Sequence, residues 1–130
     1  MTSEDIHIVI ADKNSKVSDF LRRELAASGY RASVARDCKA LWKLLEGPER
    51  ADLLILDPEF FSSYGREPLL AHLARQLPGL PVILYAFDTE GLDYHDAKQA
   101  IAVVEKEHDT EHLKKVVAKI ARRLFPERTA

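Results

Sequence analysis

Short apolar runs alternate with longer amphipathic stretches along the chain, and this alternation predicts strands separated by helices. Five runs have the length of a strand, at residues 6–11, 31–35, 53–56, 82–85 and 101–104. The first is rich in β-branched residues and apolar at consecutive positions, which is typical of a strand buried on both faces of a parallel sheet. The run at 31–35 has the weakest pattern.

Helical spacing is clearest in the first and last predicted helices. The first covers 15–28, with Ser15 as its N-cap and Gly29 as the residue that ends it. Its apolar stripe consists of Val17, Phe20, Leu21 and Leu25. The last helix follows the fifth strand and has the strongest stripe, which consists of Leu113, Val116, Val117, Ile120, Ala121 and Leu124. Both helices are expected to pack one face against the sheet.

Two further helices are predicted between these. One covers about 37–46 and is ended by Gly47 and Pro48, and the other covers about 68–76 after a loop that contains Gly65. The polar stretch 88–99 predicts only a short or mobile helix. Strands that alternate with helices at this spacing pair in parallel through right-handed crossovers. The sequence therefore predicts a doubly wound three-layer α/β sandwich.

Length and composition fit a single domain over residues 1–130, with a tail too short for an output domain. The chain has 130 residues, of which 46% are hydrophobic and 31% are charged, and its single cysteine, Cys38, suits a reducing compartment. No apolar stretch approaches the roughly 20 residues of a membrane span. With a net charge of −2, we expect a cytoplasmic protein that binds neither membranes nor nucleic acid directly.

Charged side chains follow the predicted strands at the edge where sites in this fold class lie. Asp12 and Lys13 follow the first strand, Asp57 the third, and Lys106 the fifth. Two converging carboxylates repel each other unless a cation lies between them, and either lysine is placed to supply it. The alternative for each aspartate alone is that it caps the following turn.

These residues also carry a resemblance to a known family. The segments IVIADKN, LLILDPEF, LPVILYAF and AVVEKEHDTEHL, together with Gly65, resemble the receiver domain of two-component response regulators. The resemblance implies a flavodoxin-like sheet of order 2-1-3-4-5. It also implies that Asp57 accepts a phosphoryl group, that Asp12 belongs to a metal-binding pocket, and that Lys106 contacts the phosphoryl group.

The implied chemistry needs cations, because phosphoryl transfer to a carboxylate brings two anions together. Mg²⁺ binds through a few carboxylates, waters and phosphate oxygens. Asp12, Asp57 and the backbone carbonyl of Glu59 are the expected ligands. The Glu59 side chain is an alternative source of a further carboxylate.

Several positions depart from the family's pattern, and three of them are positions of the predicted pocket. Lys13 replaces the second acidic residue after the first strand, Ala86 replaces the hydroxyl residue that ends the fourth strand, and Val103 replaces an aromatic residue on the fifth strand. Lys13 has two interpretations: it either points inward and pairs with Asp12 and Asp57, or it lies in solvent. The departures predict weak or absent Mg²⁺ binding and an altered switch.

The resulting hypothesis is a stand-alone atypical receiver that is not an enzyme beyond its own phosphorylation and dephosphorylation. Its expected partners are a histidine kinase or phosphotransfer protein and a downstream protein, or a second copy, on the last strand and helix. The alternative is a pseudo-receiver, an interaction module without phosphoryl chemistry. A flavodoxin-like enzyme ranks last, because no glycine-rich phosphate cradle follows the first strand.

Isolated histidines and one short motif add little to this picture. His7, His72 and His95 are expected to be partly exposed. The string from His108 to His112 matches the pattern H-x-x-E-H of zinc peptidases, but it falls at a helix start where Asp109 is a natural N-cap. The string is therefore interpreted as a helix start and not as a metal site.

Overall fold

The computed structural model describes residues 6–61, 69–90, 92, 98–106 and 109–129. In chain order the elements are β1 (His7–Ala11), α1 (Ser15–Ala27), β2 (Arg31–Ala35), α2 (Cys38–Glu46), β3 (Leu53–Leu56), a 3₁₀ turn (Pro58–Phe61), α3 (Leu69–Gln76), β4 (Val82–Ala86), β5 (Ala102–Glu105), α4 (Glu111–Leu124) and a second 3₁₀ turn (Pro126–Arg128). Gly65, Pro68 and, within the weakly patterned stretch 88–99, residues 91 and 93–97 lie outside the described residues.

All five strands form one parallel sheet of order 2-1-3-4-5, as predicted. The register aligns the carboxyl ends of the strands. Ala11 at the end of β1 pairs with Leu56 at the end of β3, and Ala86 at the end of β4 pairs with Glu105 at the end of β5. The residues that follow these strands therefore meet along one edge of the sheet.

Each face of the sheet is covered by a layer of helices, which gives the predicted three-layer sandwich. On one face, buried side chains of α1 and α4, such as Leu25 and Val117, pack against Ile8 and Ile55. On the other face, α2 and α3 contribute a second set of buried residues: Leu41, Leu45 and Leu73. Truncating a fully buried leucine such as Leu25 to alanine is expected to cost about 2–5 kcal/mol.

The N-cap of the first helix lies one residue earlier than predicted. The N-cap is Asn14 and not Ser15, because the Asn14 side chain accepts hydrogen bonds from the backbone N–H groups of Lys16 and Val17. Gly29 follows the helix with a φ of 97°, as expected for a glycine that ends a helix. Phe20, predicted on the apolar stripe, is 44% exposed. Successive helical residues are about 100° apart, and the buried face is centred on Leu21 and Leu25.

The last strand and helix also differ in detail from the prediction. The strand is shifted by one residue, to Ala102–Glu105, because β4 extends to Ala86 and pairs with Glu105. In α4, Leu113, Val117, Ile120 and Ala121 are buried, whereas Leu124 in the last turn is 41% exposed.

The start of α4 is capped differently from the prediction as well. The N-cap is Thr110 and not Asp109. The Asp109 carboxylate instead accepts a hydrogen bond from the Glu111 N–H at 3.0 Å. Within the described part of the chain, no helix is long and apolar enough to cross a membrane.

Candidate functional site

Three charged residues predicted from the sequence lie together at the carboxyl edge of the sheet. Asp12 follows β1, Asp57 follows β3 and Lys106 follows β5. Ladder hydrogen bonds fix the backbone at two of these positions: the Asp57 N–H donates to the Ala11 carbonyl at 3.0 Å, and the Lys106 N–H donates to the Ala86 carbonyl at 2.7 Å. The sheet itself therefore positions these side chains.

The Lys106 ammonium joins the two carboxylates. Its Nζ donates to Asp12 Oδ2 at 2.8 Å and to Asp57 Oδ2 at 2.6 Å. The side chains are 3% exposed for Lys106, 5% for Asp12 and 11% for Asp57. Asp57 is thus the most accessible of the three. We call these three residues the carboxyl-edge cluster.

The second oxygen of each carboxylate is held by a backbone N–H group. Asp12 Oδ1 accepts from the Asn14 N–H and Asp57 Oδ1 accepts from the Glu59 N–H, both at 2.8 Å. These are short turns in which an aspartate caps the backbone two residues ahead. Each aspartate therefore both caps a turn and binds Lys106, although the sequence presents these two roles as alternatives.

Charge is unbalanced within this cluster, since two carboxylates face one ammonium. Burial alone lowers the pKa of Lys106, but the hydrogen bonds and charges of Asp12 and Asp57 outweigh burial and raise this pKa above its ordinary value of 10.5. The lysine is therefore held in its charged form. The remaining negative charge favours a further cation or an electrophile at the site.

Two aromatic rings contact the same ammonium. Nζ of Lys106 lies 5.5 Å from the centroid of the Tyr85 ring and 4.9 Å from that of Phe87. Tyr85 is buried, whereas Phe87 is 65% exposed. Sequence reasoning missed Phe87, although its position directly after Ala86, at the end of a buried strand, is a signal that could have identified it.

The remaining predicted site positions lie around the cluster. Lys13 is exposed, and the cation that bridges the two carboxylates is Lys106. The pKa of the Cys38 thiol is raised by burial and by Asp37, against a lowering effect of the Lys13 charge. Glu59 is exposed and contributes its backbone N–H to the site.

Ala86 and Val103 occupy the positions expected from the sequence. Ala86 is buried as the last residue of β4, so no hydroxyl is present there. Val103 lies on the edge strand β5 and is 39% exposed.

The donor chemistry fits a hard cation such as Mg²⁺. Two carboxylates converge, and Mg²⁺ in proteins is usually bound by one or two carboxylates and several waters. No group of three or more His, Cys, Asp or Glu side chains in the described ranges is arranged to hold a metal. A metal in this pocket would therefore depend on Asp12 and Asp57 for its side-chain ligands from these ranges.

A second polar cluster lies at the opposite, amino edge of the sheet and corrects one expectation. His7 is not partly exposed but 1% exposed, because its ring is held between Ser33 Oγ at 2.8 Å and the Arg50 carbonyl at 3.2 Å. The side chain of His72 and all of His95 lie outside the described residues.

Asp52 connects His7 to the C-terminal turn. Its carboxylate accepts from the His7 N–H at 2.9 Å and from both terminal nitrogens of Arg128, at 3.1 and 2.8 Å. Burial raises the pKa of Asp52, but these hydrogen bonds and the charge of Arg128 outweigh burial and lower it below 3.8. We call His7, Asp52 and Arg128 the amino-edge cluster.

Comparisons with known proteins address the fold. No protein-family model matches the sequence, and no curated protein matches it. Among solved structures, the response regulator TrrA from Thermotoga maritima, in complex with Mg²⁺ and BeF, has a TM-score of 0.77 at 23% identity, over 88% of this chain and 98% of that one. The same regulator in complex with the histidine kinase ThkA has a TM-score of 0.75 at 24% identity, over 88% and 97%.

A third structure gives the same result. A response regulator receiver domain from Clostridium thermocellum has a TM-score of 0.75 at 16% identity, over 91% of this chain and 95% of that chain. These similarities extend over nearly the whole length of each receiver domain. The chain has the flavodoxin-like fold of response-regulator receiver domains.

Proposed function

We propose that this chain is a receiver of two-component signalling and that Asp57 is its phosphoryl acceptor. The observation that carries the proposal is the carboxyl-edge cluster: two buried carboxylates share one ammonium at the edge where sites in this fold lie. Asp57 is the best nucleophile of the cluster, because its side chain is more exposed than that of Asp12.

The proposed reaction is an in-line displacement at phosphorus. An Asp57 oxygen attacks the phosphorus of the donor, the bond from phosphorus to the donor's leaving atom breaks, and an acyl phosphate forms. The Glu59 N–H orients the carboxylate through Oδ1. The Lys106 ammonium, already 2.6 Å from Oδ2, is placed to pair with the incoming phosphoryl oxygens.

Mg²⁺ is the proposed cofactor, with Asp12, Asp57 and the backbone carbonyl of Glu59 as its protein ligands. When bound, it would neutralise charge on the acceptor and the phosphoryl group. The exposed charge of Lys13, beside Asp12, is proposed to weaken its binding. Because Ala86 offers no hydroxyl to the phosphoryl group, the signal is proposed to leave the site by another route.

The proposed partners follow from the same role. A histidine kinase or phosphotransfer protein would supply the phosphoryl group, as the kinase complex of the similar regulator TrrA suggests. A downstream protein or a second copy would contact β5 and α4. The solvent face of α4 supports this contact, with four exposed cations: Lys115, Lys119, Arg122 and Arg123. The chain would act as a signalling module and not as an enzyme on other substrates.

A second candidate function is a phosphorylation-independent interaction module. It is supported by the Lys106 ammonium, which already binds both carboxylates, and by Ala86, which removes the hydroxyl at the end of β4. In such a module the lysine would hold one conformation permanently.

One experiment separates the two candidates. The purified protein is incubated with acetyl phosphate and Mg²⁺, and intact mass spectrometry measures the addition of one phosphoryl group. The receiver predicts an addition that is lost in Asp57→Asn and kept in Asp19→Asn, a matched change at an exposed aspartate of α1. A folded wild-type protein that gains no phosphoryl group from acetyl phosphate or from a histidine kinase would overturn the receiver and favour the interaction module.

A further inference from the structure

Lys106 is buried although it follows β5, which is an edge strand. A lysine side chain commonly extends its ammonium into water, but here the side chain is 3% exposed. Hydrogen bonds to the Asp12 and Asp57 carboxylates, at 2.8 and 2.6 Å, explain the direction of the side chain.

The Phe87 ring contacts the Lys106 ammonium. Its centroid is 4.9 Å from Nζ of Lys106, within the range of a cation–π contact. The ring is itself 65% exposed, whereas the Lys106 side chain that it contacts is 3% exposed. Tyr85, two residues earlier on β4, contacts the same ammonium from within the core. The ammonium is therefore in contact with a buried ring, an exposed ring and two carboxylates.

We propose that Phe87 is a positioning residue of the carboxyl-edge cluster: its ring holds the Lys106 ammonium on Asp12 and Asp57 and shields the site from water and small phosphodonors. The shielding half of this inference rests on the proposed function, since it concerns the acyl phosphate of Asp57. The positioning half concerns Lys106 alone. The two halves therefore have separate readouts.

Positioning is tested by the chemical reactivity of Lys106. The variants are Phe87→Ala, which removes the ring, Phe87→Leu, which keeps an apolar side chain without a π face, and Phe87→Trp, which keeps the π face. Each protein is acetylated briefly with acetic anhydride, and peptide mass spectrometry compares Lys106 with the exposed Lys115. Phe20→Ala, at another partly exposed phenylalanine, is the matched control.

The expected acetylation of Lys106 depends on whether residue 87 keeps a π face. Loss of a cation–π contact corresponds to about a threefold or larger rise in the relative acetylation of Lys106 for Phe87→Ala and Phe87→Leu. Phe87→Trp and Phe20→Ala should equal the wild type. Equal reactivity of Lys106 in Phe87→Ala and wild type, with both proteins folded by circular dichroism, would overturn the positioning role.

Shielding is tested on protein phosphorylated with acetyl phosphate. Phe87→Ala should both gain the phosphoryl group faster and lose it faster to water, whereas Phe87→Leu, which keeps the cover, should stay close to the wild type in both rates. Unchanged rates in Phe87→Ala would overturn shielding. If wild-type protein is never phosphorylated, the proposed function and the shielding fail together, and the acetylation result alone decides the positioning role.

Discussion

Each edge of the sheet carries a polar cluster that contains aspartate, but the two clusters differ in their balance of charge. At the amino edge, Asp52 meets Arg128 in a two-point contact and also caps the His7 N–H. At the carboxyl edge, Asp12 and Asp57 share the single ammonium of Lys106. One carboxylate for one cation leaves no net charge, whereas two carboxylates for one cation leave an excess negative charge.

The difference separates a structural cluster from a chemical one. A partly buried aspartate with matched donors, such as Asp52, needs no further partner, and the amino-edge cluster ties the C-terminal turn to the sheet. A cluster with excess negative charge is stable only with its central cation in place. An additional cation or electrophile stabilises it further, because it offsets the remaining charge. Buried aspartate alone is therefore a weak sign of function, and the charge balance around it is a better one.

The largest expected effect comes from removing the shared cation. Lys106→Met leaves two buried carboxylates facing each other, and we expect it to lower the free energy of unfolding by about 3 kcal/mol at neutral pH. Urea denaturation measures this loss. Lys114→Met is the matched control, because the Lys114 ammonium also contacts two carboxylates, of Glu24 and Glu111, but is far more exposed. A loss no larger than that of the control would contradict the proposed charge imbalance.

Neutralising Asp52 is expected to have the next largest effect. Asp52→Asn removes the charged partner of Arg128 and should lower the free energy of unfolding by about 2 kcal/mol, a typical value for hydrogen bonds to charged groups. The pKa of Asp52 is lowered in the folded protein, so its contribution is present above the ordinary value of 3.8 and is lost as pH falls through the lower folded pKa. Wild-type stability measured by urea should therefore converge on that of Asp52→Asn below about pH 4, and a constant difference would contradict this account.

Neutralising Asp57 should change the free energy of unfolding by less than either Lys106→Met or Asp52→Asn. Asp57→Asn leaves one carboxylate, Asp12, with one ammonium, so the repulsion disappears together with one attraction. We expect a change in unfolding free energy within about 1 kcal/mol, in either direction, by the same urea measurement. A loss as large as that of Asp52→Asn would mean that the two edges do not differ in the way described.

Alkaline pH gives the smallest and most specific effect. Burial lowers the pKa of Lys106 in the folded protein, but the hydrogen bonds that its ammonium donates to Asp12 and Asp57, and the charges of these carboxylates, outweigh burial and raise this pKa. Its contribution is therefore complete below the ordinary value of 10.5 and is lost as pH rises through the higher folded pKa. The stability gap between wild type and Lys106→Met should stay constant up to about pH 10.5 and narrow above it. A gap that narrows already near neutral pH would argue against the raised pKa.

Periodicity and strand-end chemistry predict much of this molecule. The bounds of β2 and β3 and the meeting of Asp12 with Asp57 and Lys106 follow from the sequence pattern, because parallel strands align their carboxyl ends. The strand order follows instead from the resemblance to receiver domains. The sequence pattern does not determine which of two lysines joins the carboxylates. Lys13 and Lys106 are both adjacent to the edge in sequence, and only the direction of each side chain separates them.

The amino-edge cluster shows a second limit of sequence reasoning. The burial of His7 depends on Ser33 and Arg50, which are 26 and 43 residues away, and no local pattern signals such contacts. The same holds for Arg128 and Asp52, which are 76 residues apart. Phe87 differs, because its place directly after β4 is visible in the sequence, but its contact with Lys106 depends on how two adjacent strands end.

The two turns that cap the site aspartates give the molecule its own spectroscopic reporters. The backbone N–H groups of Asn14 and Glu59 each donate to a carboxylate oxygen of the carboxyl-edge cluster, with 2.8 Å between nitrogen and oxygen. The chemical shift of an amide proton responds to the charge on the oxygen it donates to. In a ¹⁵N-labelled sample, these two resonances would therefore follow protonation, metal binding or phosphorylation of Asp12 and Asp57 separately, residue by residue and without any attached label.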